Sequence, residues 1–446
     1  MTWLRVAVLP VLVVLLLGVV VALPEHEQDA SATSTPVTQT TYACAGAPVA
    51  STGQVSAGDD VRATVLGEEP TDAPDAADPG AWTRSRLGGP LVVTQDGEGS
   101  GAVGFASGAL DAALGGGLVV DACPDVFDDA WFTGLGSGDG HTSRLLLTNL
   151  ADTAAVVDVT VWGPEGRIDA VDASGVVVEP QTSLTLPLAD LAAGEPDLAV
   201  RVERRRGAVA VAALDSVTTG GATGSELVTA VAGPARRQVL PGVPAGAAGR
   251  TLQVLNPTGS TVRVAVEAIG PEGTFVPEGL DEVRVGAGAT ERVQVPRSAG
   301  AGALALRLVA DAPVVASVLS TAGGDRSTAE AAPRLSGPAV VPVGPGLGTP
   351  DLLLTVAGDD AAGVVLEARG RDLATLAEAD VDLEAGLTTS VDLAEVLDLE
   401  GAAFVVVRPT GSVHGAAAYR TGDGTASLAL QAAPVEVLAP RVRPLP

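Results

Sequence analysis

Few residues of this chain could do chemistry. It contains three histidines, two cysteines and one methionine, and its 26 basic residues are all arginines because no lysine occurs. The absence of lysine excludes Schiff-base chemistry and the phosphate-binding lysine of a Walker loop. With 54 acidic residues the formal net charge is −28. A chain this acidic repels nucleic-acid phosphates instead of releasing their counterions, so a nucleic-acid partner is excluded.

Two histidines, His141 and His414, lie in the part of the chain that is rich in strand patterns, and neither has an evident catalytic setting. His141 follows Asp139 in the glycine-rich segment 134–143, for which we predict a flexible loop. His414 lies within a strand pattern and is expected to be structural. A Ser-His-Asp triad can assemble from distant residues, but no Gly-x-Ser-x-Gly elbow occurs. We therefore predict no catalytic residues and a protein that is not an enzyme.

Two further patterns match ligand sites by their letters alone. Gly99, Gly101 and Gly104 have the spacing of a dinucleotide fingerprint, but the residues that follow are a poor start for a helix and no βαβ unit surrounds them. The acid pairs 128–129 and 359–360 lack the alternating spacing of a calcium loop, and we predict that they are solvated turns. The sequence therefore predicts no cofactor and no metal ligands.

The amino terminus predicts the location of the protein. Residues 6–23 are an unbroken run of apolar or small residues, long enough as a helix to cross a bilayer. Arg5 precedes the run and three acids follow it, so the amino terminus stays in the cytoplasm and the rest lies outside. We predict an uncleaved, single-pass anchor in the cytoplasmic membrane, with a cleaved signal peptide as the alternative.

Cys44 and Cys123 form an even pair in a chain that we expect to be exported. Oxidising conditions there favour a disulfide over free thiols or metal ligation. We predict a Cys44–Cys123 disulfide, with two buried free cysteines as the alternative.

The most informative feature is an internal repeat. Residues 149–166 align without a gap on residues 256–273: each segment starts with Asn, continues through alternating apolar positions and ends in Gly-Pro-Glu-Gly. A third, degenerate copy begins near residue 340, where Val356 replaces the Asn. Three units of roughly 100 residues follow, each within the usual size range of a domain.

Within the first copy the apolar residues have a period of two. Val157, Val159 and Val161 alternate with Asp158 and Thr160, which is typical of a strand with one buried face. Seven or eight short strands in each copy predict an all-β fold of tandem, immunoglobulin-like β-sandwich repeats after one transmembrane helix. The alternative is a β-propeller whose blades are half-repeats.

These observations define the expected domains. The predicted divisions are a signal-anchor (1–24), a Ser/Thr-rich linker (25–41), a disulfide-linked β-rich domain (42–128), three sandwich repeats (129–238, 239–339 and 340–438) and a tail (439–446).

Several residues that recur in both copies of the repeat are predicted to have a structural role in turns. An Asn that follows a strand can bond the backbone and adopt a left-handed conformation, and Gly-Pro pairs favour turns. The predicted turn residues are Asn149, Gly163, Pro164, Gly166, Asn256, Gly270, Pro271 and Gly273.

Aromatic residues make up 2% of the chain, which is a poor supply for a sugar-binding platform. Trp131 and Trp162 align with Val239 and Ile269 in the second copy, so we expect them to fill cores. Residues 204–206 are three consecutive arginines, for which we predict a soluble basic turn.

The Trp-Phe-x-Gly opening at Trp131, the strands that start at Leu145 and Leu252, and the Gly-Pro-Glu-Gly turns together resemble a family of actinobacterial membrane-anchored proteins of unknown function. The resemblance covers nearly the whole chain and implies an envelope location and an all-β ectodomain. It brings no catalytic residues with it.

We therefore expect a non-enzymatic cell-envelope protein that acts as an extracytoplasmic scaffold or interaction module. Its expected partners are envelope proteins or a cell-wall polymer. The alternative is a module that binds wall polysaccharide or a small ligand and assists an envelope enzyme.

Overall fold

The computed structural model describes residues 33–36, 39–44, 52–56, 61–66, 81–84, 89–96, 103–110, 112–220, 223–231, 233–344, 346–433 and 436–439. The predicted anchor, residues 1–24, lies outside these ranges, as do Gly99 and Gly101. Among the described residues no helix is both long and apolar enough to cross a bilayer.

Two short strands near the ends of the chain form a compact unit of their own. Strand β1 (Thr33–Pro36) pairs antiparallel with β34 (Glu436–Ala439). The segment predicted as a solvated linker thus contains a strand, and the predicted tail begins at the last residue of another. Thr33 and Thr35 are β-branched, which favours an extended backbone over a flexible spacer.

The rest of the described chain forms four consecutive all-β domains. The strands of the N-terminal domain are β2 (Gln39–Cys44), β3 (Thr52–Ser56), β4 (Val61–Val65), β5 (Ala81–Arg84), β6 (Leu91–Asp96), β7 (Val103–Ala109) and β8 (Leu118–Ala122), with a 3-10 turn at Ala112–Leu114. Those of the first repeat are β9 (Asp129–Leu135), β10 (His141–Asn149), β11 (Ala155–Gly163), β12 (Gly166–Ile168), β13 (Val176–Val178), β14 (Ser183–Pro187), β15 (Leu198–Arg206), β16 (Val209–Val217) and β17 (Gly224–Val228), with 3-10 turns at Val171–Ala173 and Leu188–Asp190.

The second repeat contains β18 (Ala235–Val243), β19 (Gly249–Leu255), β20 (Val262–Gly270), β21 (Gly273–Phe275), β22 (Val283–Val285), β23 (Thr290–Gln294), β24 (Leu304–Ala322) and β25 (Asp325–Glu330), with a 3-10 turn at Arg297–Ala299. The third contains β26 (Ala339–Pro342), β27 (Asp351–Thr355), β28 (Ala362–Arg369), β29 (Thr375–Leu383), β30 (Thr388–Asp392), the short helix α1 (Leu393–Val396), β31 (Phe404–Pro409), β32 (His414–Arg420) and β33 (Thr425–Ala429).

All four domains share one strand order. One sheet of each domain, sheet I, has the order β2-β6-β4, β9-β15-β11, β18-β24-β20 or β26-β31-β28, with extra short strands beyond the last position in the repeats. The other, sheet II, has the order β5-β3-β7-β8, β14-β10-β16-β17, β23-β19-β24-β25 or β30-β27-β32-β33. In the second repeat the long strand β24 passes from sheet I into sheet II. The N-terminal domain is therefore a fourth copy of the repeat topology.

This order differs from both predicted architectures in detail. In an immunoglobulin domain the first two strands share a sheet, whereas here each of the first six positions lies in the sheet opposite to the one before it. A half-repeat does not form a sheet by itself either, so the described strands contain no blade of the kind that the propeller alternative requires.

Each domain buries an apolar core between its two sheets. In the first repeat, Val157, Val159 and Val161 of sheet I pack with Leu145 and Leu147 of sheet II. Both faces of sheet II are buried, however. Leu146, between the two core leucines, packs instead with the N-terminal domain, which explains why this strand is continuously apolar and does not alternate.

The outward faces of the sheets join the four domains into a closed ring. The N-terminal domain packs on sheet II of the first repeat, where Leu146 and Leu214 share a buried cluster with residues of the N-terminal domain. The first repeat contacts the second, where the Thr133 hydroxyl donates to Ser317 Oγ at 2.7 Å. The second repeat contacts the third, where Thr388 donates to the Ile269 carbonyl at 2.7 Å.

The third repeat completes the ring by packing on the N-terminal domain. Phe105 and Leu118 of the N-terminal domain share a buried cluster with Val341 of the third repeat. The last strands of the four domains, β8, β17, β25 and β33, contact one another in sequence around the centre of this ring. We call these four the central strands.

Candidate functional site

The central strands bring buried charged residues of different domains together. Arg326 of the second repeat lies 2.9 Å from Asp215 Oδ2 and 3.5 Å from Glu226 Oε1, both in the first repeat. All three side chains are almost completely buried. Glu226 also accepts from the Thr328 amide at 2.7 Å and the Thr328 hydroxyl at 2.6 Å. An unpaired charge at such depth would be costly, so this cluster links the two repeats.

The carboxyls of this cluster titrate differently. Burial by itself raises the pKa of Asp215, but Arg326 and His141 outweigh it and leave the pKa below the ordinary value. Burial wins at Glu226, whose pKa is raised despite Arg326. At Glu330, burial and then the charges of Glu226 and Asp121 hold the pKa well above its usual range.

His141, Ser143 and Asp215 are close together, but their geometry is not that of a catalytic triad. His141 Nε2 lies 2.8 Å from Asp215 Oδ1, and the Ser143 hydroxyl donates to the same oxygen. The serine is thus bonded to the acid and not to the histidine that would have to take its proton. The loop predicted over 134–143 is also shorter than expected, because Gly134 belongs to β9 and His141 begins β10.

His414 begins β32, and its Nδ1 lies 3.0 Å from the Ala332 carbonyl. Burial and the nearby Arg334 lower its pKa against the effect of that carbonyl.

Two further expectations about charged residues are corrected. Asp128 and Asp129, predicted as a solvated turn, are ion-paired to Arg204 and Arg201 respectively. The three arginines 204–206 lie at the end of β15, and Arg205 pairs with Asp158 at 2.6 Å. Antiparallel pairing places β15 between β9 and β11, so that its arginines reach acids of both neighbouring strands, which the local sequence does not reveal.

The repeat asparagines are both buried at turns. Asn149 Nδ2 donates to the carbonyls of Thr153, Val178 and Glu179 at 2.9 to 3.0 Å, while its Oδ1 accepts from the Ala151 amide. Asn256 makes the equivalent bonds. The Gly-Pro-Glu-Gly segments connect β11 to β12 and β20 to β21, and Gly166 and Gly273 have positive φ. These contacts explain why the same residues recur in both copies.

Trp131 and Trp162 are buried, but between repeats and not inside one sandwich. Their rings stack with centroids 5.4 Å apart, and they cluster with Leu255 and Val315 of the second repeat. Their counterparts Val239 and Ile269 pack together in an equivalent position. Neither tryptophan is available as an exposed sugar platform.

A cavity of about 250 Å³ lies between the N-terminal domain, the first repeat and the third repeat. The predicted disulfide is confirmed and forms part of its wall: Cys44 and Cys123 are bonded, and Cys123 lines the cavity. Gly104, from the dinucleotide-like motif, approaches both sulfurs so closely that a Cβ there would meet Cys123 Sγ at 3.0 Å. The glycine thus accommodates the disulfide.

The cavity contains two carboxylates. Burial raises the pKa of Asp121 to about 6 despite a hydrogen bond from Thr229. The side chain of Asp125 is exposed, although partial burial of its carboxyl still raises its pKa. The remaining wall is largely apolar and includes Tyr42, Phe105 and Phe127.

A groove of about 970 Å³ adjoins the cavity, and Asp125, Phe127 and Gln431 line both. Arg237 and Arg334 are exposed in this groove and have no ion-pair partner among the described residues. The described residues contain no group of three or more His, Cys, Asp or Glu placed to hold a metal ion.

Analysis of the sequence missed these buried acids. Asp121 interrupts an otherwise apolar strand, and Asp215 and Glu226 lie in strands that are almost entirely buried. A charged residue in such a strand can be recognised in the sequence as a candidate site residue. When the strand is buried on both faces, that residue must find an ion-pair partner or become neutral.

Comparison with known proteins gives one clear match. A family model described as a family of unknown function (DUF5719) matches residues 75–332, more than half of the chain. No curated protein matches. Among solved structures, the chain is similar to the crystal structure of Streptomyces avermitilis α-L-rhamnosidase complexed with L-rhamnose, at 11% identity and a TM-score of 0.14. That match covers 88% of this chain and 55% of the other, and at so low a TM-score it supports no inference.

Proposed function

Because the chain belongs to DUF5719, a family of unknown function, we propose a function from the arrangement of its residues: a non-enzymatic scaffold or interaction module of the cell envelope. In this proposal residues 1–24 anchor the protein in the cytoplasmic membrane of an actinobacterium, and the four-domain ring lies outside. The Cys44–Cys123 disulfide supports an oxidising, extracytoplasmic location.

The observation that supports the proposal is the way in which the polar side chains with catalytic potential are bonded. Asp215, to which His141 and Ser143 are bonded, pairs with Arg326 across the boundary between two repeats. Side chains that are bonded in this way stabilise the ring. A closed ring in turn presents a rigid surface. The groove with Arg237 and Arg334 is the part of that surface best suited to a partner.

The test uses the full-length protein in isolated cell envelopes, with cross-linking and recovery of bound proteins or wall polymer. We expect a partner that binds the native protein and is lost on the double substitution Arg237→Glu and Arg334→Glu. Arg297→Glu, at an exposed arginine outside the groove, is the control and should retain the partner. Recovery of no protein or polymer at any salt concentration would contradict the proposal.

The second candidate is a module that binds wall polysaccharide or a small ligand. The cavity of about 250 Å³ and its open groove favour a small ligand, whereas burial of Trp131 and Trp162 disfavours a sugar platform built on stacked rings. Co-sedimentation with purified wall polymer separates the candidates. Saturable binding to polymer free of proteins would support the second candidate over the first.

A further inference from the structure

The cavity beside the disulfide holds negative charge with no cation to balance it. Asp121 is 3% exposed, and neither it nor Asp125 has an ion-pair partner among the described residues. The Thr229 hydroxyl donates to Asp121 at 2.5 Å, which satisfies part of its hydrogen bonding but none of its charge. A buried carboxylate without a counter-charge is either protonated or poised to receive a cation.

The surroundings of Asp121 add to the negative charge. Glu330 of the second repeat is close enough for the two carboxylates to interact, and Glu226 of the first repeat lies near Glu330. Arg326 is the cation of this group, and it is already paired with Asp215 and Glu226. The central strand of the third repeat, β33, has no titratable side chain.

A second observation at the cavity itself points to a ligand. Tyr42 lines the cavity and is 7% exposed, yet its Oη makes no hydrogen bond. Burial, together with the charge of Asp125, raises the pKa of this phenol to about 12 against the opposing effect of the adjacent Thr40. Tyr42 and Asp125 both line the cavity and are close enough for their side chains to interact. The rings of Tyr42, Phe105 and Phe127 are surfaces that attract a cation.

We propose that this cavity binds a primary alkylammonium group, held by Asp121 and Asp125 and enclosed by the three aromatic rings. The chain has no lysine, so the group comes from another molecule. A cavity of about 250 Å³ has roughly the volume of eight waters, enough for a short aliphatic arm. The arm enters from the groove, where Arg237 and Arg334 face any carboxylate or phosphate carried by the same ligand. This site does not depend on the scaffold proposal.

The test is titration calorimetry of the full-length protein with 1-aminopentane at pH 8. We expect saturable binding at one site and no binding of pentanol, which has the aliphatic arm without the charge. Asp121→Asn keeps the shape of the side chain and should weaken binding by about ten- to a hundredfold. Asp172→Asn, at an exposed acid away from the cavity and the groove, is the matched control and should change the affinity by less than about twofold.

A pH series on the unsubstituted protein gives an independent measurement if Asp121→Asn does not fold. Protonation of Asp121 below its pKa of about 6 should weaken binding by up to about tenfold per pH unit, while the amine stays charged. No saturable heat at millimolar 1-aminopentane, equal binding of pentanol, or an affinity that is unchanged between pH 8 and pH 5 would overturn the proposal.

Discussion

Arg326 in the second repeat and Asp215 in the first lie 2.9 Å apart, although 111 positions separate them in the numbering, and neither side chain is more than 5% exposed. The pair connects two domains that the sequence analysis describes as separate tandem repeats. The same acid, Asp215, also bonds to His141 and Ser143. One ion pair therefore has consequences for both the architecture and the function of the protein.

Replacing Arg326 with Met should strongly destabilise the protein, because it leaves Asp215 and Glu226 buried without a cation. The loss expected for breaking a buried pair from one side is about 3–5 kcal/mol in the free energy of unfolding. Urea unfolding followed by circular dichroism measures it. Arg297→Met, at an exposed arginine, should stay within about 0.5 kcal/mol. A loss below about 1 kcal/mol for Arg326→Met would show that the cluster is not a tie between repeats.

Asp121→Asn should stabilise the protein in a pH-dependent way. The pKa of Asp121 rises from 3.8 to about 6 on folding, so the folded state binds more protons than the unfolded state between these values and stability falls as pH increases through them. The advantage of the Asn variant should therefore be near zero below pH 4 and reach up to about 3 kcal/mol above pH 6. Unfolding measured for both proteins at several pH values tests the sign. An advantage largest at acid pH would contradict it.

Asn149→Ala and Asn256→Ala should each destabilise the protein by about 2–3 kcal/mol, since each leaves three carbonyls and one amide without their side-chain partner. Thermal unfolding is the measurement. Gln294→Ala removes an exposed side-chain amide and should have little effect. If the buried and the exposed substitutions had equal effects, the recurrence of asparagine in the two turns would have another cause.

Reduction of the disulfide should cost about 4–5 kcal/mol by loop-closure entropy, because it releases a crosslink between residues 79 positions apart. Cys44→Ser with Cys123→Ser gives the same comparison without a reductant. Mass measurement after alkylation of the native protein is the control, and two modified thiols would contradict the crosslink. The same variant should also distort the cavity that Cys123 lines.

Local sequence patterns predicted the strands well where one face of a strand decides its position. The alternation of Val157, Val159 and Val161 correctly placed a strand with a buried face in β11. The pattern fails where both faces are buried, as at Leu146, because a continuous apolar run does not say which neighbour covers the second face. Closure of the ring depends on contacts such as Thr388 with Ile269, which join residues 119 positions apart and have no local signature.

The candidate site was harder to predict for the same reason. The disulfide followed from the count of cysteines, but the partners of His141 and Asp129 come from strands more than 70 positions away. Asn149 and Asn256 could be recognised as turn residues because they occupy the same position in two copies of the repeat and make the same bonds. The acids of the cavity, Asp121 and Asp125, could not be recognised, because the first and third repeats that complete the cavity wall meet the N-terminal domain only in the assembled ring.

Amide hydrogen exchange at Thr328 and Thr425 tests closure of the ring most directly. Both residues lie on the last strand of a sheet, and their amides donate to carboxylates of a neighbouring repeat, Glu226 at 2.7 Å and Asp325 at 2.8 Å. In a closed ring these amides should be protected to the same degree as those within the sandwich cores. Exchange at the rate of an unprotected edge strand would mean that the domains are separate beads and would contradict the ring.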